Sequence, residues 1–235
     1  MFEIRNITDT VLAAGMRVSG WIQYGRKYDI PVRPDRVLWL TPDTITHKPV
    51  TSPETDLIQP TLVVGGDWDR QLTPITDDIV YHAFHQRFVE NTSWEESGYI
   101  DFLTTTVSEH GGVTRAEAME RCRKLDQLYA HIKENGYKTQ AELERRDGLI
   151  DGLTSHQLRP PTYREVCVDV TRDGEFVWHG GMHRLVIAQL LAVERIPVRV
   201  NIRHEQWQAI REQVVRCGER EAFRSHPDVA YLISD

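Results

Sequence analysis

The stretch Glu175-Phe-Val-Trp-His179-Gly180-Gly181-Met182-His183-Arg184-Leu-Val-Ile-Ala-Gln-Leu-Leu-Ala-Val-Glu-Arg-Ile196-Pro-Val-Arg-Val-Asn-Ile-Arg-His204 decides the fold. It spells strand, double-glycine turn, helix over about 183–193, and strand over 196–202. A helix that opens on glycines leaves its first backbone N–H groups free. Its dipole adds positive potential at the same place. The stretch is therefore an anion site in outline, with His179, Gly180, Gly181, Met182, His183 and Arg184 as its candidate residues.

Upstream, Glu165–Val170 alternates and turns at Arg172-Asp173-Gly174, so it pairs as a hairpin with Glu175–Trp178. Asp169 and Asp173 are read as turn residues. Thr114-Arg-Ala-Glu117 and Thr139-Gln-Ala-Glu142 are capping boxes. The first opens a helix that stops at Gly136. Asp77–Glu90 and Trp94–Val107 have helical periodicity, with Ser93 as cap of the second. Arg36–Thr41 and Leu62–Val64 are strands, and residues 46–61 and 147–162 are loops. Downstream, Glu205–Cys217 is amphipathic, and Val229–Ile233 is a docking segment. The sum is an α+β fold, a small mixed sheet with packed helices.

The order of helix, Gly136-Tyr137, hairpin, Gly180-Gly181-Met182-His183-Arg184, helix and Ile196-Pro197-Val198 resembles the ParB/sulfiredoxin superfamily. The match runs over roughly 120–204. Val37–Ile45 looks like the first strand and turn of such a domain. The resemblance implies a ParB/sulfiredoxin-like domain at 36–204 with a helical insertion at about 70–113. An N-terminal segment (1–35) precedes it, and a C-terminal helix and tail (205–235) follow. It also implies a nucleotide phosphate held at the glycine turn. Sulfiredoxins place a catalytic cysteine where this chain has Met182, and a thioether is no thiolate nucleophile.

A second candidate is Gly65-Gly66-Asp67-Trp68-Asp69. Two carboxylates at a strand end are suited to hold magnesium or to act as a base, so Asp67 and Asp69 are the catalytic candidates. The expected ligand is ATP, ADP, CTP or another phosphorylated small molecule, with magnesium. Phosphoryl transfer or nucleotide hydrolysis follows if the two motifs meet. The alternative is a non-catalytic module whose aromatics Trp68, Tyr81, Trp94 and Tyr99 serve an interface.

The formal net charge is −7. That disfavours a partition-like or nuclease-like role on DNA, which needs a basic surface. No apolar run reaches the roughly 18–20 residues of a membrane span. Cys122, Cys167 and Cys217 are far apart and odd in number, which suits a reduced cytoplasmic setting. His82 and His85 share a helix face but lack a third ligand at metal spacing.

Overall fold

The computed structural model describes residues 36–52, 62–106, 113–147, 161–218 and 221–234, together with positions 14, 15, 18, 27, 28 and 30. Among these, seven strands form: β1 (Val37–Leu40), β2 (His47–Pro49), β3 (Leu62–Val64), β4 (Leu72–Pro74), β5 (Val166–Val170), β6 (Phe176–Gly180) and β7 (Ile196–His204). Seven α-helices accompany them: α1 (Ile79–Phe88), α2 (Tyr99–Thr106), α3 (Arg115–Asn135), α4 (Gln140–Asp147), α5 (Met182–Leu190), α6 (Glu205–Cys217) and α7 (Pro227–Ser234). The fold is α+β, a small mixed sheet with packed helices.

β7 is the axis of the five-stranded sheet, and all nine of its residues are buried. β5 runs parallel along one edge of β7. β1, antiparallel, and β3, parallel, share the other edge. β6 folds back on β5 as a hairpin. One face carries Val166, Val168 and Val170 of β5 with Ile196, Val198 and Val200 of β7, all in the main core with α5. The other face of β7 carries Arg199, Asn201 and Arg203, also buried.

Two expectations are corrected. Residues 46–61 are not all loop, because β2 pairs antiparallel with β4 in a separate ribbon. The helix expected from Trp94 begins only at Tyr99. Gly98 adopts φ +74, a left-handed conformation that ends the preceding turn. Ser93 and Glu96 still exchange the reciprocal bonds of a capping box, but around that turn.

Two of the aromatics expected at an interface, Trp94 and Tyr99, build core. Trp94 and Tyr99 are buried, and both pack edge-on or tilted around Phe84, which is itself fully buried. Full burial of such rings stabilises the fold by about 1.5–3 kcal/mol each. Phe84 also stacks on His183 of α5, so the helices expected as an insertion share one core with the glycine-turn helix.

At the C-terminal end of β7, Asp228 of α7 accepts from Arg203 Nε at 2.8 Å, Arg203 Nη2 at 2.5 Å and Trp207 Nε1 at 3.0 Å. Arg211 Nε lies 3.2 Å from the same carboxylate. Burial alone would raise the Asp228 carboxyl, but the two guanidiniums hold it down at about 2. This cluster docks α6 and α7 on the sheet. No helix among the described residues is long and apolar enough to cross a membrane.

Candidate functional site

The glycine turn sits where β6 passes into α5. Gly181 has φ +78 and ψ +34 and is the N-cap, with no side-chain cap bond. A Cβ at Gly181 would lie 3.1 Å from the Val166 Cα, so both its conformation and its contact with β5 require glycine. The first N–H groups of α5 are thereby left for another acceptor.

The side chains of the motif do not all face that space. His183 is turned into the core, where its Nε2 lies 2.8 Å from the Tyr99 hydroxyl and its ring stacks on Phe84 at 5.5 Å. Burial, with help from the Arg121 charge, pushes its pKa down to about 4, so it is neutral. Met182 is buried in the same core. Arg184 stacks on Tyr137, donates from Nε to the Tyr137 hydroxyl at 2.9 Å and from Nη2 to the Lys138 carbonyl at 2.5 Å. It ties α5 to the link between α3 and α4. What the motif leaves toward an acceptor is backbone, the first N–H groups of α5.

Close by, Glu165 is 5% exposed. Its Oε1 accepts from the Gln140 N–H at 2.6 Å, and its Oε2 has no hydrogen-bond partner among the described residues. Burial drives its carboxyl up to about 7, against the opposing pull of Arg184, the Gln140 N–H and Arg164. Sequence reasoning gave this residue no role.

Behind the turn lies a polar chain on the second face of the sheet. Cys167 of β5 is the strand partner of Gly180, and a Cβ on Gly180 would lie 3.6 Å from the Cys167 Cβ. Arg199 Nη2 donates to Cys167 Sγ at 3.1 Å and to Asn201 Oδ1 at 3.4 Å. Asn201 Nδ2 lies 3.2 Å from His179 Nε2, and His179 Nδ1 lies 2.9 Å from Asp169 Oδ2. Asp169 Oδ1 accepts from the Ile202 N–H at 3.0 Å. Because Asp169 is an acceptor, the proton of a neutral His179 belongs on Nδ1 and Nε2 accepts from Asn201. Asp169 is thus no turn residue: it is fully buried and sets the orientation of His179.

Arg199 is the unusual member. It is 7% exposed, its guanidinium lies 4.9 Å from the Tyr163 ring, and its Nε and Nη1 meet no acceptor among the described residues. The pattern Arg199-Val-Asn201-Ile-Arg203 in the central strand was the available signal, since polar residues at every second position of a doubly covered strand have no packing reason to be there.

Asp67 and Asp69 lie elsewhere. Asp69 Oδ1 and Oδ2 accept from Arg172 Nε at 3.1 and 3.0 Å, and Oδ2 also takes the Arg172 backbone N–H at 2.8 Å. Arg172 Nη2 reaches Asp67 Oδ1 and the Gly66 carbonyl, both at 2.8 Å. Burial works to raise the Asp69 carboxyl, but the Arg172 bonds win and hold it below its usual value. The Arg172 bond likewise lowers Asp67. The clip follows the C-terminal end of β5, while Gly181 packs on Val166 at the start of that strand. Four strand steps separate these ends by about 13 Å, so the structure does not bring the two motifs together.

Among the described residues no group of three or more His, Cys, Asp and Glu side chains gathers as a metal site. His85 Nδ1 lies 3.1 Å from Glu90 Oε1. His204 caps α6 by accepting from the Gln206 N–H and faces the Gly66 carbonyl at 2.9 Å, on the Asp69 side of the sheet. Compared with known proteins, the chain matches no family model, no curated protein and no solved structure.

Proposed function

We propose that the chain binds a phosphorylated small molecule, a nucleotide such as ATP, ADP or CTP in the first instance, at the Gly180–Gly181 turn. The observation that carries this reading is Arg199. A guanidinium removed from water without a carboxylate partner costs several kcal/mol. It lies one strand beyond Cys167, the partner of Gly180. In this reading the α5 N–H groups and the Arg199 cation both attract the anion. The likeness of the motif to ParB/sulfiredoxin-like proteins points the same way.

Binding is favoured over turnover. Met182 is buried where a sulfiredoxin has its nucleophile, and Asp67 and Asp69 are engaged by Arg172 at the far end of β5. Magnesium, if it enters, comes with the nucleotide.

Titration calorimetry with ATP, ADP, CTP and inorganic phosphate, with and without magnesium, tests the reading. Heat with at least one nucleotide is expected, weakened tenfold or more by Arg199→Gln in a variant that keeps its circular dichroism. Silence with every ligand, or an unchanged dissociation constant in Arg199→Gln, overturns it.

A further inference from the structure

The three cysteines occupy three different surroundings. Cys122 lies in the core on α3, where burial pushes its thiol up to about 11. Cys217 ends α6 and is exposed. Cys167 is 6% exposed and receives an Arg199 N–H at 3.1 Å.

Several charged groups lie around Cys167 among the described residues. From β7 comes Arg199, the nearest, which makes no ion pair with a carboxylate among the described residues. On β5 itself, Asp169 is two residues on, with its oxygens committed to the Ile202 N–H and His179. From β6 comes His179, whose Nε2 lies 3.2 Å from Asn201 Nδ2. Glu165, two residues before, is directed to Gln140 and feels Arg184 and Arg164. Tyr163 lies over the guanidinium. Arg199 brings its charge into hydrogen-bond contact with the sulfur, and a neighbouring cation favours the thiolate over the thiol.

We propose that Cys167 is the thiolate counter-ion of Arg199 when the site holds no ligand, and hence the reactive nucleophile of this chain. The pair accounts for a buried cation that has no carboxylate partner among the described residues. It leaves Arg199 Nε and Nη1 as open donors. A thiolate there attacks small electrophiles: with iodoacetamide the sulfur bonds the methylene carbon and iodide leaves with the bonding pair. A phosphate ligand competes for the same guanidinium, so its binding returns the proton to the sulfur.

The proposal shares Arg199 with the phosphate reading but concerns the empty site and stands without it. Thiolate absorbance at 240 nm is followed on the whole chain from about pH 5 to 10, as the difference between wild type and Cys167→Ser. The expected step lies below about pH 7, against about 8.5 for an ordinary thiol. Arg199→Gln moves it up by a unit or more, a tenfold change in acidity. A step at about 8.5 or above, or one that ignores Arg199→Gln, overturns the proposal.

Should Cys167→Ser not fold, wild type is alkylated with iodoacetamide across the same range and mapped by peptide. A half-maximal rate for Cys167 below that of Cys217 by a unit or more supports the thiolate. Equal midpoints, or no labelling of Cys167, refute it. A missing thiolate leaves phosphate binding to calorimetry, and missing phosphate binding leaves the thiolate step in place.

Discussion

Gly181 is pressed against Val166, so that a Cβ at 181 would stand 3.1 Å from the Val166 Cα while its own φ is +78. A side chain at 181 is opposed twice, by the left-handed conformation and by a strand backbone that cannot rotate aside. The conformation alone costs about 1–2 kcal/mol. Gly181→Ala is therefore expected to lose about 2–3 kcal/mol in urea unfolding, with weaker nucleotide binding because the start of α5 is displaced. A loss within about 0.5 kcal/mol, the range of ordinary surface changes, would contradict the contact.

His183 makes the fold acid-sensitive. Burial lowers its pKa from 6.5 to about 4. The unfolded chain thus binds the proton first, and the stabilisation, full above pH 6.5, is lost as pH falls toward 4. A shift of this size is worth about 3 kcal/mol. Relative to wild type, a His183→Asn variant should lose this gain of stability with rising pH, at the cost of the Phe84 stack. An unchanged slope between about pH 4 and 6.5 would mean that the imidazole is not held neutral in the core.

Glu165 runs the other way over nearly the same interval. Burial raises its pKa from 4.5 to about 7. Here the folded chain binds the proton first, so the stabilisation is full below pH 4.5 and is lost as pH rises through 7. The two opposed shifts nearly cancel each other between about pH 4.5 and 6.5, and burial lowers the His226 pKa as well, so wild type keeps a shallow rise of stability with pH. Glu165→Gln, which keeps the acceptor for the Gln140 N–H, is expected to unmask a stability that rises with pH. A Glu165→Gln profile with the same slope as wild type would show that the carboxyl is charged in the fold.

How far the sequence could be read depended on range. The α3 capping box, the β5–β6 hairpin and the Gly181 helix start are local patterns, and each stands where its residues place it. The His183 direction was not local: it depends on Phe84, nearly a hundred residues earlier, which takes the imidazole as a stacking partner. Arg199, Asn201 and Asp169 were missed because alternation of apolar and polar residues reads as a strand with one wet face. In the fold both faces of β7 are covered, and that makes those polar groups significant. β2 and β4, three residues each, are too short for any period to register.

The Arg172 clip separates the two aspartates that the sequence presented as equivalent. The Asp69 side chain is 1% exposed and the Asp67 side chain 79%. Removal of one partner from a buried pair leaves an uncompensated charge and costs about 3–5 kcal/mol, whereas an exposed pair is worth about 0–1 kcal/mol. Asp69→Asn is expected to be severely destabilising in thermal and urea unfolding, and Asp67→Asn near neutral. Because the clip lies at the opposite end of β5 from Gly181, Asp67→Asn should leave nucleotide binding unaltered with and without magnesium. A magnesium-dependent loss of nucleotide affinity in Asp67→Asn, at wild-type stability, would instead place this carboxylate at the ligand.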